Sequence, residues 1–152
     1  MSETPPAAPA PAPQADGSLK EDEKNWGMLA HMLSLTQWVG VPFGFWIGPL
    51  VAYLVKKDES KFVRFHAIQA LGFNLAVFLV LVVISVPIGV LTFLSMGLFW
   101  LVAIPLYMLI IFGWIGYVIM IGIKASKGED ARYYYVGDWA YKKVYEEDWK
   151  PI

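Results

Sequence analysis

The side chains that could carry chemistry are few. The only histidines are His31 and His66, and there is no cysteine. His66 closes the run Asp58-Glu59-Ser60-Lys61-Phe62-Val63-Arg64-Phe65-His66, where a base, a hydroxyl and two carboxylates lie close in sequence. A hydrolytic centre needs nucleophile, base and orienting group in one geometry. A short polar link does not impose one. The better reading of Ser60 is a helix N-cap, its hydroxyl accepting from the Val63 or Arg64 amide. A metal centre on His31 and His66 would lack carboxylate or thiolate partners. The sequence therefore predicts no catalytic residue, no cofactor-binding residue and no metal ligand.

A second polar set is more informative. His66, Gln69 and Asn74 fall within about 140° on one face of a helix at ~100° per residue. Their neighbours are Leu, Val, Phe and Ala. Hydrocarbon cannot satisfy such groups, so they turn inward. They predict either a polar lining of a cavity or hydrogen bonds between helices.

The elements that must position them follow from the charge pattern. No Asp, Glu, Lys or Arg occurs between Arg64 and Lys124. A soluble helix needs a polar face toward water. A bilayer removes that need, and one span takes ~20 apolar residues. Ala67–Val86 and Leu98–Ile123 are two such spans. Pro87 and Gly89 are expected to kink or end the first, with a turn at Leu94-Ser95-Met96-Gly97. Pro105 is expected to kink the second.

The segment Trp26–Val55 is also uncharged. Gly40-Val41-Pro42-Phe43-Gly44 and Gly48-Pro49 interrupt it, which disfavours one straight helix. The expected form is a hairpin of two short helices, Asn25–Val39 and Phe45–Val55, with one kinked span as the alternative. The fold class is all-α integral membrane: a short helical hairpin (or one kinked span) followed by two transmembrane helices, with flexible termini. Residues 1–24 are expected to form a disordered Pro/Ala-rich tail, 25–128 the helical membrane domain, and 129–152 an aromatic and charged interfacial tail.

Lys56, Lys57, Lys61 and Arg64 flank one end of the spans, and Lys124 and Lys127 the other. They are expected at lipid headgroups. The positive-inside rule puts both flanks, and the C-terminus, on the cytoplasmic side of a bacterial inner membrane. The net charge of −1 argues against nucleic-acid binding, including base stacking on the Tyr- and Trp-rich tail. The expected partners are the bilayer and a membrane protein or a second copy of the chain.

The run Ile47–Leu71 carries Gly48-Pro49-Leu50, Lys56-Lys57-Asp58, Ser60-Lys61-Phe62-Val63 and His66-Ala67-Ile68-Gln69-Ala70-Leu71. It resembles the Tic-twenty-like bacterial membrane proteins, a domain-of-unknown-function family. Leu29-Ala30-His31 with Ser34 is similar to that family's start. The resemblance covers about residues 25–129. It implies an all-helical membrane domain, and its plastid relatives belong to the inner-envelope protein import machinery. The expected function is a non-enzymatic membrane protein, an interaction or assembly component related to protein translocation. An oligomeric small-molecule or ion pathway is the alternative, and a membrane enzyme ranks third for want of acid–base groups.

Overall fold

The computed structural model describes residues 19–146, and the proline-rich run 5–13 and Trp149 lie outside them. The regular elements among the described residues are all helices, with no strand. Helix α1 is Glu21–Met32 and continues as a 3₁₀ stretch, Leu33–Val39. Helix α2 is Gly44–Lys56, α3 is Lys61–Leu94, α4 is Trp100–Ser126 and α5 is Val136–Tyr141. A wider final turn follows over Lys142–Glu146.

Helix α1 starts within the charge cluster that composition assigns to the N-terminal tail. Glu21, Asp22 and Glu23 occupy its first turn, where negative charge meets the positive end of the helix dipole. The Lys20 N–H donates to Glu23 Oε2 at 3.0 Å, fixing the entry. Lys56 at the end of α2 reaches Asp22 at 2.9 Å and Glu59 at 2.6 Å, which ties the open ends of the hairpin together.

The chain reverses between the 3₁₀ stretch and α2. Gly40 has φ +94°, a left-handed conformation that glycine adopts without a Cβ penalty. The arms then pack at backbone distance. A Cβ on Gly48 would sit 2.6 Å from the Leu33 carbonyl carbon and 2.7 Å from its oxygen, so only glycine allows this approach.

Ser60 caps α3, with the Val63 N–H donating to its Oγ at 3.3 Å. The helix then runs 34 residues, about 51 Å at 1.5 Å per residue. Pro87 and Gly89 do not end this helix: α3 continues to Leu94 with Pro87 inside it. Proline removes one bond of the ladder, and the backbone on either side of Pro87 keeps its helical bonds. Pro105 likewise lies inside α4.

Burial divides α3 in two. Phe62, Val63, Phe65, His66, Ala67, Ile68, Gln69, Ala70 and Asn74 are buried, but Leu75, Leu79, Val80, Val82, Val83, Val86, Phe93 and Leu94 are exposed. On α4, Trp114, Val118, Ile121 and Ala125 are buried, but Leu101, Ile104, Leu109 and Phe112 are exposed. One end of the molecule is thus a packed cluster of α1, α2, α5 and the roots of α3 and α4. The other is a pair of apolar helices that are buried at Ile88 and Ala103 and otherwise largely exposed. Both are long and apolar enough to cross a membrane.

Candidate functional site

The packed end holds two separate polar networks. The first joins α1, α3 and the segment before α5. His66 Nε2 lies 3.2 Å from the Glu129 carbonyl oxygen, which can only accept, so Nε2 carries the hydrogen. His66 Nδ1 therefore presents a lone pair. It accepts from His31 Nε2 at 2.9 Å and from the Gln69 amide at 3.0 Å. His31 Nδ1 is then the acceptor for the Tyr133 hydroxyl at 3.0 Å. The donors all run one way, from Tyr133 through His31 and His66 to the Glu129 carbonyl.

Gln69 completes the set. Its amide also donates to the Ala131 carbonyl at 2.9 Å, and its oxygen accepts the Tyr133 N–H at 3.3 Å. His31, His66 and Gln69 are fully buried and Tyr133 nearly so. The Tyr133 ring stacks on Phe73, centroids 4.0 Å apart, and meets Tyr117 edge-on at 5.0 Å. Burial first, and then Tyr117, push its hydroxyl above the usual tyrosine range, which keeps it a donor. The network pins residues 129–133 onto the helical cluster.

The second network is built around Asn74. Pro49 has no N–H to give the carbonyl four residues back, that of Phe45. Asn74 Nδ2 donates to this carbonyl at 2.6 Å. Its other hydrogen goes to Ser34 Oγ at 2.8 Å. Its oxygen accepts from Trp114 Nε1 at 3.0 Å. One amide thus links both arms of the hairpin, α3 and α4. Beyond it lies a cavity of about 220 Å³ lined by Gln37, Trp38, Phe45, Phe78, Ile111 and Trp114 among others.

The three residues singled out on one face of α3 therefore divide. His66 and Gln69 share the first network and Asn74 belongs to the second. Of the basic residues expected at headgroups, Lys56 is held by Asp22 and Glu59, and Lys57 lies 3.9 Å from Asp58. Lys124 and Lys127 are exposed. Arg64 is half-buried, with its Nε unpaired. The sequence alone gave no role to Tyr133, Trp114 or Ser34. Tyr133 stands beside Tyr134 and Tyr135, which are 74% and 76% exposed against its own 1%. Nothing in residue type separates the three.

The arrangement is one of satisfied neutral groups. Both histidines have their ring nitrogens engaged. Among the described residues no three His, Asp or Glu side chains are grouped to hold a metal ion.

The family model that matches residues 22–140 is MamF/MmsF, the magnetosome magnetite crystal formation protein family. The chain belongs to this family. The match takes in α1 to α4, both polar networks and nearly all of α5. MamF/MmsF proteins are magnetosome membrane proteins involved in crystal formation. This corrects the likeness to Tic-twenty-like proteins read from residues 47–71, and with it the link to protein translocation. The match also runs past Gly128, bringing Tyr133 within the family pattern. No curated protein and no solved structure matches the chain.

Proposed function

We propose that the chain is a non-enzymatic, multi-pass protein of a bacterial magnetosome membrane that acts in magnetite crystal formation by presenting an interaction surface. The observation that carries this reading is the family match over 22–140, nearly the whole of the described fold. Two helices long enough to span, with largely exposed apolar outer halves, support the membrane placement. Engaged histidines and a fully committed Asn74 support a structural rather than catalytic role for the buried polar groups.

Deleting the coding sequence in a magnetosome-forming host tests it. The expected result is a changed distribution of crystal size and shape by electron microscopy, restored by the wild-type chain. Unchanged crystals would overturn the reading.

The orientation we favour places residues 56–66 and 124–132 on the cytoplasmic face and 95–99 on the opposite face, following the basic flanks. Single cysteines replacing Lys57, Ser95 and Lys127 in this cysteine-free chain report it. In isolated magnetosomes, whose outer surface is cytoplasmic, an impermeant thiol reagent should label Lys57→Cys and Lys127→Cys but not Ser95→Cys. Labelling of Ser95→Cys alone would reverse the orientation.

In this reading the hairpin enters the bilayer from the cytoplasmic face. Its turn reaches the level of Phe78, against which Phe45 stacks at 6.2 Å. Trp38, Val39, Val41 and Phe43 at the turn are exposed. Irregular backbone at that depth is stable only when covered by protein or water. A membrane-protein partner or a second copy of the chain fits that need. The competing pathway reading rests on the cavity beside Asn74, whose lining residues with polar side-chain atoms are Gln37, Trp38, Asn74 and Trp114.

A further inference from the structure

A second concavity lies on another side of α3, away from both networks. It measures about 510 Å³ and is lined by Trp46, Leu50 and Tyr53 of α2, Ile68, Leu71, Gly72 and Leu75 of α3, and Trp139 of α5. Its lining is almost wholly apolar. It follows α3 from Ile68 to Leu75, about 10 Å at 1.5 Å per residue. Leu50 and Leu75 at its rim are about half exposed. Trp139 lies beside Gly72, where a Cβ would sit 3.6 Å from its ring, and the Lys143 ammonium lies 5.2 Å from that ring's centroid. Lys142 and Lys143 are exposed and have no carboxylate partner among the described residues. Asp138, the nearest acid of α5, is taken by Arg132 at 3.0 Å.

We propose that this groove is a binding site for an anionic phospholipid, one acyl chain lying between α2 and α3 and the headgroup phosphate meeting Lys142 and Lys143. The proposal rests on the membrane placement above. An apolar slot along a spanning helix, with the Lys143 ammonium beside the Trp139 ring that lines it and Lys142 next to it in sequence, matches the chemistry of such a lipid from tail to head. Tyr53 and Trp139 occupy the level where an apolar ring and a polar tip are both served. A zwitterionic lipid would fill the same slot without the charge pairing. An interfacial lysine contributes about 1 kcal/mol toward an anionic lipid, or roughly fivefold in affinity.

The test is lipid retention by the full chain, purified in detergent and offered phosphatidylglycerol or phosphatidylcholine, with bound lipid counted by native mass spectrometry. The wild type should retain one phosphatidylglycerol in preference to phosphatidylcholine. The exposed double substitution Lys142→Glu with Lys143→Glu should lose that preference while leaving the fold intact, a drop of tenfold or more at about fivefold per lysine. Leu71→Trp, which fills the groove floor, should reduce retention of both lipids. Equal retention by the wild type and both variants would overturn the site. So would a preference lost instead with Lys124→Glu and Lys127→Glu, which lie off the groove. Carbonate extraction of the wild type separates the two levels. Release from the membrane would end the membrane reading itself, whereas a protein that stays embedded yet shows no lipid selectivity would end only the lipid site.

Discussion

His66→Leu should be among the most destabilising single substitutions in this chain. His66 accepts from His31 and Gln69 and donates to the Glu129 carbonyl, and it is fully buried. Leucine fills much of the volume but satisfies none of the three. Each of the three groups left without a partner costs about 1–3 kcal/mol, so the loss is of the order of 3–9 kcal/mol. For a chain of this length that is roughly 10 °C or more in melting temperature. The damage should start at one place. The network is what holds residues 129–133 against α1 and α3, so trypsin should cut earlier at Lys127 and Arg132 than in the wild type. Tyr133→Phe is the calibrating variant. It removes one hydroxyl and keeps the stack on Phe73, at a cost of about 1 kcal/mol. Thermal unfolding in detergent decides the matter: a His66→Leu protein as stable as Tyr133→Phe would show that the network contributes no more than a single bond.

Asn74→Leu should loosen the other end of the cluster. The substitution leaves the Phe45 carbonyl, the Ser34 hydroxyl and the Trp114 indole N–H without their partner. Side-chain bonds between membrane helices average ~0.6 kcal/mol and reach ~1.7. Three of them centred on one amide give about 2–4 kcal/mol, most of it from the carbonyl that Pro49 cannot serve. Insertion should be unaffected, because leucine is the better residue for hydrocarbon. The hairpin should separate from α4, exposing Trp114 and shifting its emission to the red in detergent. Tryptic cutting at Lys127 and Arg132 should stay at the wild-type rate, since Asn74 makes no bond to that segment. If Asn74→Leu melts within 1 °C of wild type, in place of the several degrees that 2–4 kcal/mol implies, the amide is not a link between these elements.

The two substitutions probe parts of the fold that were unequally legible. The uncharged stretch from Arg64 to Lys124 determined, without any coordinates, that two long apolar helices lie there. That inference is local, because a helix facing lipid needs only length and hydropathy. The Ser60 cap was equally local, set by a hydroxyl three residues from its amide, whereas glycine and proline at Gly40–Gly44 marked a bend but left a hairpin and one kinked span both open. Asn74 and His66 announced by type alone that they needed partners.

The identity of those partners was decided only by the tertiary structure. His31 and Tyr133 are 102 positions apart, and Asn74 and Trp114 are 40. Hydropathy says which residues avoid lipid, but not which of several polar groups will meet, because that depends on the register of one helix against another. Tyr133 became a core residue, its ring stacked on Phe73 and edge-on to Tyr117, and its two tyrosine neighbours did not. Pro87 stayed inside α3, so its own propensity did not end the helix.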